Sequence, residues 1–409
     1  MNKLWTKNFT IITLGSIISM LGNTVSEFAL GLLVFDNTQS PLLYSLFLLI
    51  CMLPTVLLPS LVGPYLDRFP RRKVIFMLDY IYGAIFTLIA IMTYFNYFNY
   101  IIFMIIGFLV GIIGCIYNVA YESFYPELIS EGNYSKAYSI SSLIWPIANT
   151  LMVPIAAWVL LNYGLFPLFF FNAVTFFITA TFETQIKIDE QHVKTSSSKG
   201  YDKKTFTRDF KEGYKYLLKE KALIAITSYF FVSMFSQGVT NSILLPFFET
   251  TPGRNVSQYA LIMGFMSAGR MVGGLIHYFF RYPVKRKYSI AVFVYSISSI
   301  LEMTIYLFPY NAIIPIVFLN GMLSVTSFNI RTSATQSYVP SEMRGRFNGT
   351  FMMLTTLGMV IGQLVGGILG EFIHLPYIAI ATLSLNVIAV YFCIARSKES
   401  VKLLYNREV

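Results

Sequence analysis

Charged residues and histidines are scarce in this chain of 409 residues. Asp, Glu, Lys and Arg together make up 12% of it, and its three histidines lie far apart, at positions 192, 277 and 374. The sequence has no phosphate-binding Gly-x-x-x-x-Gly-Lys-Ser/Thr motif and no gathering of acids, histidines and nucleophiles at one point. It also has no polar stretch long enough to fold as a catalytic domain. We therefore expect that the protein is not an enzyme.

Cysteine is equally rare. Cys51, Cys115 and Cys393 all fall within apolar segments, with neither paired spacing nor neighbouring histidines. This pattern predicts neither a metal site nor a cofactor, and it gives no information about the redox compartment. The first apolar segment is longer than the hydrophobic region of a cleaved signal peptide, so we expect it to be retained.

The chain is rich in long apolar runs. Hydrophobic residues make up 56% of it and the mean hydropathy is +0.62, which indicates a polytopic membrane protein. Twelve runs are long enough to cross about 30 Å of hydrocarbon as helices. They are residues 9–35, 42–65, 74–96, 99–121, 139–162, 166–185, 223–248, 257–280, 288–308, 312–337, 347–370 and 375–395. The sequence thus predicts an all-α membrane protein with 12 transmembrane helices.

The basic residues indicate the orientation of these helices. If the amino terminus is cytoplasmic, 27 of the 30 Lys and Arg residues fall on the cytoplasmic side. Arg254 then lies outside, and Arg270 and Arg331 lie within spans. The positive-inside rule therefore predicts that both termini are cytoplasmic. This distribution explains the net charge of +10 better than nucleic-acid binding does, so we expect a lipid bilayer around the protein and no nucleic-acid partner.

A polar segment divides the chain into similar halves. Residues 186–222 are predicted to form a cytoplasmic linker between an N-terminal six-helix bundle, 1–185, and a C-terminal one, 223–395. Residues 396–409 are predicted to form a cytoplasmic tail.

Two details of this organisation leave alternatives open. Apolar residues at helical spacing in 210–219 are typical of a helix on the membrane surface, and equally of a solvated spacer helix. Residues match at an offset of about 210 positions, as at Asn118 and Asn329, which favours a duplicated bundle. Chance similarity between apolar helices would give such matches as well.

A dense charged turn, residues 63–73, lies between the second and third apolar runs. It resembles the loop between the second and third helices of major facilitator superfamily transporters, whose pattern is Gly-x-x-x-Asp-Arg-x-Gly-Arg-Lys. Pro70 stands where that family has glycine. The resemblance implies a latch that holds one conformation shut, whereas the bare charges would also serve as topology anchors. The matching residues are Gly63, Asp67, Arg68, Arg71 and Arg72.

Further segments narrow the resemblance. Residues 126–129, 171–173 and 336–346 are similar to the drug-exporter branch that contains macrolide efflux proteins and siderophore exporters. The resemblance implies the major facilitator fold, with two six-helix bundles, as a monomer in the bacterial plasma membrane. Residues 153–157 keep only part of the glycine-rich antiporter motif of the fifth helix.

The function implied by this resemblance is secondary active export of amphipathic small molecules, macrolide-like or multidrug-like. Alternating access by proton-coupled antiport would drive it, so the proton gradient rather than a cofactor supplies the energy. Two alternatives remain open at this point. One is export of an anionic or zwitterionic siderophore or metallophore, and the other is lipid transport.

Ionisable residues within apolar spans are costly, so each is a candidate functional residue. Glu27 lies in the first span one turn after Asn23, and the resemblance places this face toward the substrate cavity. We interpret Glu27 as a residue for proton coupling and substrate contact, with a structural carboxyl bound by Asn23 or an arginine as the alternative. Asp79, one turn into the third span, is the second proton-coupling candidate.

The second half supplies two cations and one acid at membrane depth. Arg331 is predicted to contact substrate or to form a buried ion pair, and Arg270 is predicted to pair with Glu302. Polar residues on the helices that line the cavity in the resembling family complete the predicted site, although hydrogen bonds between helices would explain them equally well. These are Asn23, Asn118, Tyr121, Gln237, Asn241 and Asn329.

Overall fold

A computed structural model of the chain describes residues 4–58, 62, 69–130, 133–188, 214–279 and 283–407. These residues are almost entirely helical, and no β-strand occurs among them. Short 3-10 turns at Tyr125–Leu128 and Val284–Arg286 connect some of the helices. The helices are α1 (Lys7–Thr38), α2 (Pro41–Leu57), α3 (Arg71–Tyr94), α4 (Tyr100–Phe124), α5 (Tyr134–Tyr163), α6 (Phe166–Glu183), α7 (Lys221–Thr250), α8 (Val256–Phe279), α9 (Lys287–Leu307), α10 (Tyr310–Tyr338), α11 (Ser341–Gly370), α12 (Leu375–Ala389, continued as a π-helix over Val390–Ala395) and α13 (Lys398–Tyr405).

The apolar runs of the sequence correspond to these helices. Within the described part of the chain, eleven helices are long and apolar enough to cross a membrane. The predicted all-α membrane protein is therefore confirmed. The predicted second span, 42–65, is described only up to residue 58 and at residue 62, so the count of twelve stays a prediction. The cytoplasmic location of both termini also stays a prediction.

Local sequence signals fix where several helices begin and end. The hydroxyl of Thr6 accepts a hydrogen bond from the backbone N–H of Phe9 at the start of α1. Asn99 caps α4 in the same way, through the N–H of Ile102. Gly164, with φ of 78°, ends α5 in a conformation that favours glycine.

The first unit of the fold contains the described residues up to 39 and those from 47 to 188. In it, α1 packs against α5 and α6, and α3 packs against α4 and α6. A stack of aromatic rings joins α3 to α6, with the centroids of Tyr82 and Phe176 4.7 Å apart and those of Phe86 and Phe176 6.0 Å apart. This packing brings polar side chains of α1, α3, α4 and α6 into one interior.

The second unit contains residues 40–46 and the described residues from 214 onward. Its two most intimate helix pairs are α7 with α11 and α8 with α10. Gly362 of α11 allows a close approach, because a Cβ atom there would lie 2.0 Å from the carbonyl oxygen of Phe235. Small residues on α11 therefore let it pack tightly against α7.

The C-terminal segment is a helix packed into the second unit. Val401, Leu404 and Tyr405 of α13 are fully buried. Asn406 fastens the end of this helix, since its side chain accepts a hydrogen bond from the N–H of Tyr288 and donates one to the carbonyl of Lys285, both at 2.9 Å. The segment predicted as a tail therefore contributes to the core of this unit.

Candidate functional site

Two carboxyl groups meet in the interior of the first unit. Asp79 of α3 and Glu183 of α6 are both 0% exposed, and their side chains lie close enough to interact directly. Within the described part of the chain, no other group donates a hydrogen bond to any of their four oxygens. Two such oxygens side by side can hold a proton between them, which makes the pair a candidate proton site.

Tyrosines surround this pair. Tyr117 of α4 lies near both carboxyl groups, and Tyr82 of α3 lies near Asp79 and Glu27. The hydroxyl of Tyr82 donates a hydrogen bond to the carbonyl of Val110, at 2.9 Å. The first unit thus contains several ionisable groups, contributed by α1, α3, α4 and α6.

Glu27 of α1 differs from its neighbours in burial. Its side chain is exposed, whereas Ser26 and Phe28 on either side are buried. It lies near Cys51 of α2 as well as Tyr82. Among the described residues, neither Asn23 nor an arginine is hydrogen-bonded to it or paired with it. Glu27 is therefore an ionisable group in an apolar span without a described polar partner.

The second unit encloses a cavity of about 570 Å³. This volume lies within the range of small-molecule sites, about 300–1,000 Å³. Its walls are largely aromatic and aliphatic with a few polar groups, and they come from α7 to α12. The lining residues that matter below are Tyr229, Phe230, Gln237, Met266, Arg270, Tyr295, Ser298, Glu302, Asn320, Phe328, Arg331, Phe351 and Asn386.

Arg331 of α10 is a cation of this cavity whose guanidinium group lies against three aromatic rings. Its guanidinium carbon lies 4.7 Å from the ring centroid of Phe351, 5.2 Å from that of Phe328 and 5.4 Å from that of Phe230. Its Nε atom is buried and has no hydrogen-bond partner among the described residues. The ionisable groups that act on it within this unit are the phenols of Tyr295 and Tyr405.

Arg270 and Glu302 line the same cavity. They attract each other electrostatically, and the buried ion pair predicted for them stays a prediction. Gln237 also lines the cavity, and its Nε2 donates to Asn241 Oδ1 at 3.2 Å. Asn241 and Asn329 are not among the lining residues.

The remaining predicted residues of the first unit lie on α1 and α4. The hydroxyls of Tyr121 and Ser16 form a hydrogen bond at 2.8 Å, which joins the two helices. Asn118 is exposed and Asn23 is half-buried. The structure therefore assigns Tyr121 a contact between helices.

The predicted latch motif is only partly described. Gly63, Asp67 and Arg68 lie outside the described residues. Arg71 forms a salt bridge with Glu127, with Nη1 and Oε1 2.6 Å apart. Arg72 donates a hydrogen bond to the carbonyl of Ile186. The two arginines thereby fasten the start of α3 to the ends of α4 and α6.

A second polar cluster lies at the end of α10. The hydroxyl of Tyr338 donates to Glu220 Oε2 at 2.6 Å, and the guanidinium of Arg407 lies 4.8 Å from the Tyr338 ring centroid. The hydrogen bond to Glu220, followed by burial, raises the pKa of Tyr338 to about 12. The phenol therefore keeps its proton at neutral pH and remains a donor.

Comparison with known families gives a match along most of the chain. A family model described as Major Facilitator Superfamily matches residues 12–363 and, in a second match, residues 230–404. Macrolide efflux protein A of Streptococcus pyogenes is 21% identical over 374 residues, which make up 90% of this chain and 90% of that protein. The uncharacterized MFS-type transporter YkuC of Bacillus subtilis is 25% identical over 282 residues, 66% of this chain and 65% of YkuC.

Solved structures resemble the fold. The nucleoside transporter NupG superimposes with a TM-score of 0.73 at 14% identity, covering 96% of this chain and 100% of that one. A bacterial homologue of the iron transporter ferroportin superimposes with a TM-score of 0.68 at 14% identity, covering 97% of this chain and 100% of that one. At this identity the likeness concerns the fold alone, and the predicted major facilitator fold is confirmed.

Proposed function

Because this chain belongs to the major facilitator superfamily, we propose that it exports amphipathic small molecules by alternating access. Members of that family are transporters and not enzymes, so the chain is a transporter. The cavity in the second unit carries the finer proposal, because its aromatic walls and few polar groups suit a solute with both apolar and polar parts. The likeness to a macrolide efflux protein over 90% of both chains supports outward transport.

We further propose that proton antiport drives export, through Glu27 and Asp79. Glu27 supports this because it is a carboxyl group in an apolar span with no described cation to neutralise it. Asp79 supports it because it shares an interior with Glu183, and because Tyr82 lies near both Asp79 and Glu27. A proton that binds one state better than the other shifts the equilibrium between them.

The host membrane is also part of this proposal. Exchange of protons for a solute requires a membrane that maintains a proton gradient, and we propose the bacterial plasma membrane. The chain functions there as a monomer, since all the groups invoked above lie within single units of one chain.

A transport assay in proteoliposomes tests the proposal. The purified full chain is reconstituted, a pH gradient is imposed, and flux is measured for a labelled macrolide, an amphipathic cationic dye, an amphipathic carboxylate, a nucleoside and Fe²⁺. The proposal expects gradient-dependent flux of an amphipathic solute and none of the nucleoside or the metal ion. Flux of the nucleoside or Fe²⁺ alone would assign the chain a different substrate class.

A further inference from the structure

The charges around the cavity of the second unit do not balance. Its ionisable wall residues include Arg270, Glu302 and Arg331. Arg270 has Glu302 as an electrostatic partner within the cavity. No described carboxylate of this unit pairs with Arg331. Arg331 is therefore a cation of the cavity wall without a described counter-charge.

The surroundings of Arg331 stabilise a cation without satisfying its hydrogen-bond donors. The three phenylalanine rings come from different helices, Phe230 from α7, Phe328 from α10 and Phe351 from α11. Ring faces attract a guanidinium group but accept its N–H groups only weakly. The buried Nε–H of Arg331 accordingly has no acceptor among the described residues. An anion entering the cavity would supply the missing negative charge.

Three residues of the cavity wall carry further buried polar atoms without a described hydrogen-bond partner. Asn320 is 8% exposed and Asn386 6%, and the Oδ1 atom of each has no donor among the described groups. The buried hydroxyl of Ser298 also lacks a partner there. All three residues line the cavity. The wall of the cavity is therefore polar at these positions as well as at Arg331.

We propose that Arg331 binds the acid group of the transported solute, so that the substrates are small amphipathic organic anions. The apolar body of the anion packs against Phe230, Phe328 and Phe351, and its carboxylate pairs with the guanidinium group. This inference names the substrate class of the exporter proposed above and rests on that proposal only for the transport step. A cationic amphiphile is disfavoured at the same place, because Arg331 repels it.

Equilibrium binding of a matched pair of probes tests the inference without any gradient. The full chain in lipid nanodiscs is titrated with naphthylacetate and with naphthylacetamide, which have the same ring and differ in charge, and empty nanodiscs correct for partitioning. The wild-type protein is expected to bind the acid at least about tenfold more tightly than the amide, as for a charge-assisted pair. Equal binding of the two probes, or no saturable binding of the acid, would overturn the proposal.

Substitutions of Arg331 test whether this residue causes the preference for the acid over the amide. Arg331→Gln is expected to remove the acid-over-amide preference and leave amide binding within about twofold, whereas Arg331→Lys keeps part of it. Arg254→Gln is the matched control, because Arg254 lies 4.6 Å from the ring centroid of Phe247 and outside the cavity. A loss of acid and amide binding in equal measure would show that Arg331 only supports the cavity wall. If Arg331→Gln fails to fold, two measurements still test the proposal. They are the acid-over-amide preference of the wild type and its reduction in Arg331→Lys.

The two proposals fail in different ways. Acid-selective binding without gradient-dependent flux in proteoliposomes would remove the exporter proposal and leave the anion site. Gradient-dependent flux of an amphipathic cation, together with equal binding of naphthylacetate and its amide, would remove the anion site and leave the exporter proposal.

Discussion

The hydroxyl oxygens of Tyr295 and Tyr405 lie 2.8 Å apart and form a buried hydrogen bond. Tyr295 lines the cavity from α9, and Tyr405 is the last residue of the C-terminal helix α13. Burial raises the pKa of Tyr405, so its hydroxyl keeps its proton at neutral pH. Both phenols also lie near Arg331. The C-terminal helix thereby reaches the surroundings of the group proposed to bind substrate.

Removing this hydrogen bond is expected to destabilise the protein modestly. Tyr405→Phe leaves the hydroxyl of Tyr295 without its partner and should lower the free energy of unfolding by about 1 kcal/mol. Lys402→Ala, on the exposed face of the same helix, is the control and should leave stability unchanged. Thermal unfolding in detergent, followed by scanning fluorimetry, measures both. Equal melting temperatures for Tyr405→Phe and wild type would show that the bond contributes nothing.

The close contact between α7 and α11 predicts a larger loss of stability on substitution. Gly362→Ala places a Cβ atom about 2.0 Å from the carbonyl of Phe235, so the helices must separate. We expect a loss of roughly 1–3 kcal/mol of stability. Gly349→Ala on the same helix meets no atom within 4 Å and should be neutral or slightly stabilising. Similar melting temperatures for the two variants would contradict the packing described here.

The salt bridge between Arg71 and Glu127 is testable by a double-mutant cycle. Arg71 is largely buried whereas Glu127 is partly exposed, and the nitrogen and oxygen are 2.6 Å apart. Arg71→Gln, Glu127→Gln and the double variant should show a coupling energy of about 1 kcal/mol in thermal unfolding. Strictly additive effects would mean that the latch arginine is held by its other contact, the carbonyl of Ser123 at 3.2 Å.

Glu183 is expected to act with Asp79 in handling protons. Glu183→Gln removes one carboxyl group of the buried pair and should lower pH-gradient-driven flux at least about tenfold. Naphthylacetate binding should stay near the wild-type value, because the cavity lies in the second unit. Glu122→Gln, an exposed acid of α4, is the control. Unchanged flux in Glu183→Gln would restrict the pair to a structural role.

Hydropathy alone predicted the helices, because crossing about 30 Å of hydrocarbon requires long apolar segments that are easy to read. It could not select the residues of the cavity. Arg331 and Asn329 are two positions apart on α10, and only Arg331 is a lining residue, since residues at that spacing point to different sides of a helix. Asn320 and Tyr295 were missed because their position depends on how six helices pack.

Other omissions have equally local causes. Glu183 was missed because it lies at the end of a predicted span, next to the polar linker, where a carboxylate is unremarkable. Tyr405 was missed because the last residues are polar overall, and only the packed helix shows its buried face. In both cases the role of the residue depends on a side chain that is distant in the sequence and that only the fold brings close.

Proton coupling through Glu27 is the central claim, and pH-gradient-driven flux in proteoliposomes tests it most directly. Wild type is compared with Glu27→Gln, using whichever solute the panel shows to be transported. Flux of the wild type should rise with the gradient, whereas Glu27→Gln should not respond to it and should still exchange labelled for unlabelled solute when no gradient is present. Equal gradient-driven flux in the two proteins would contradict the account.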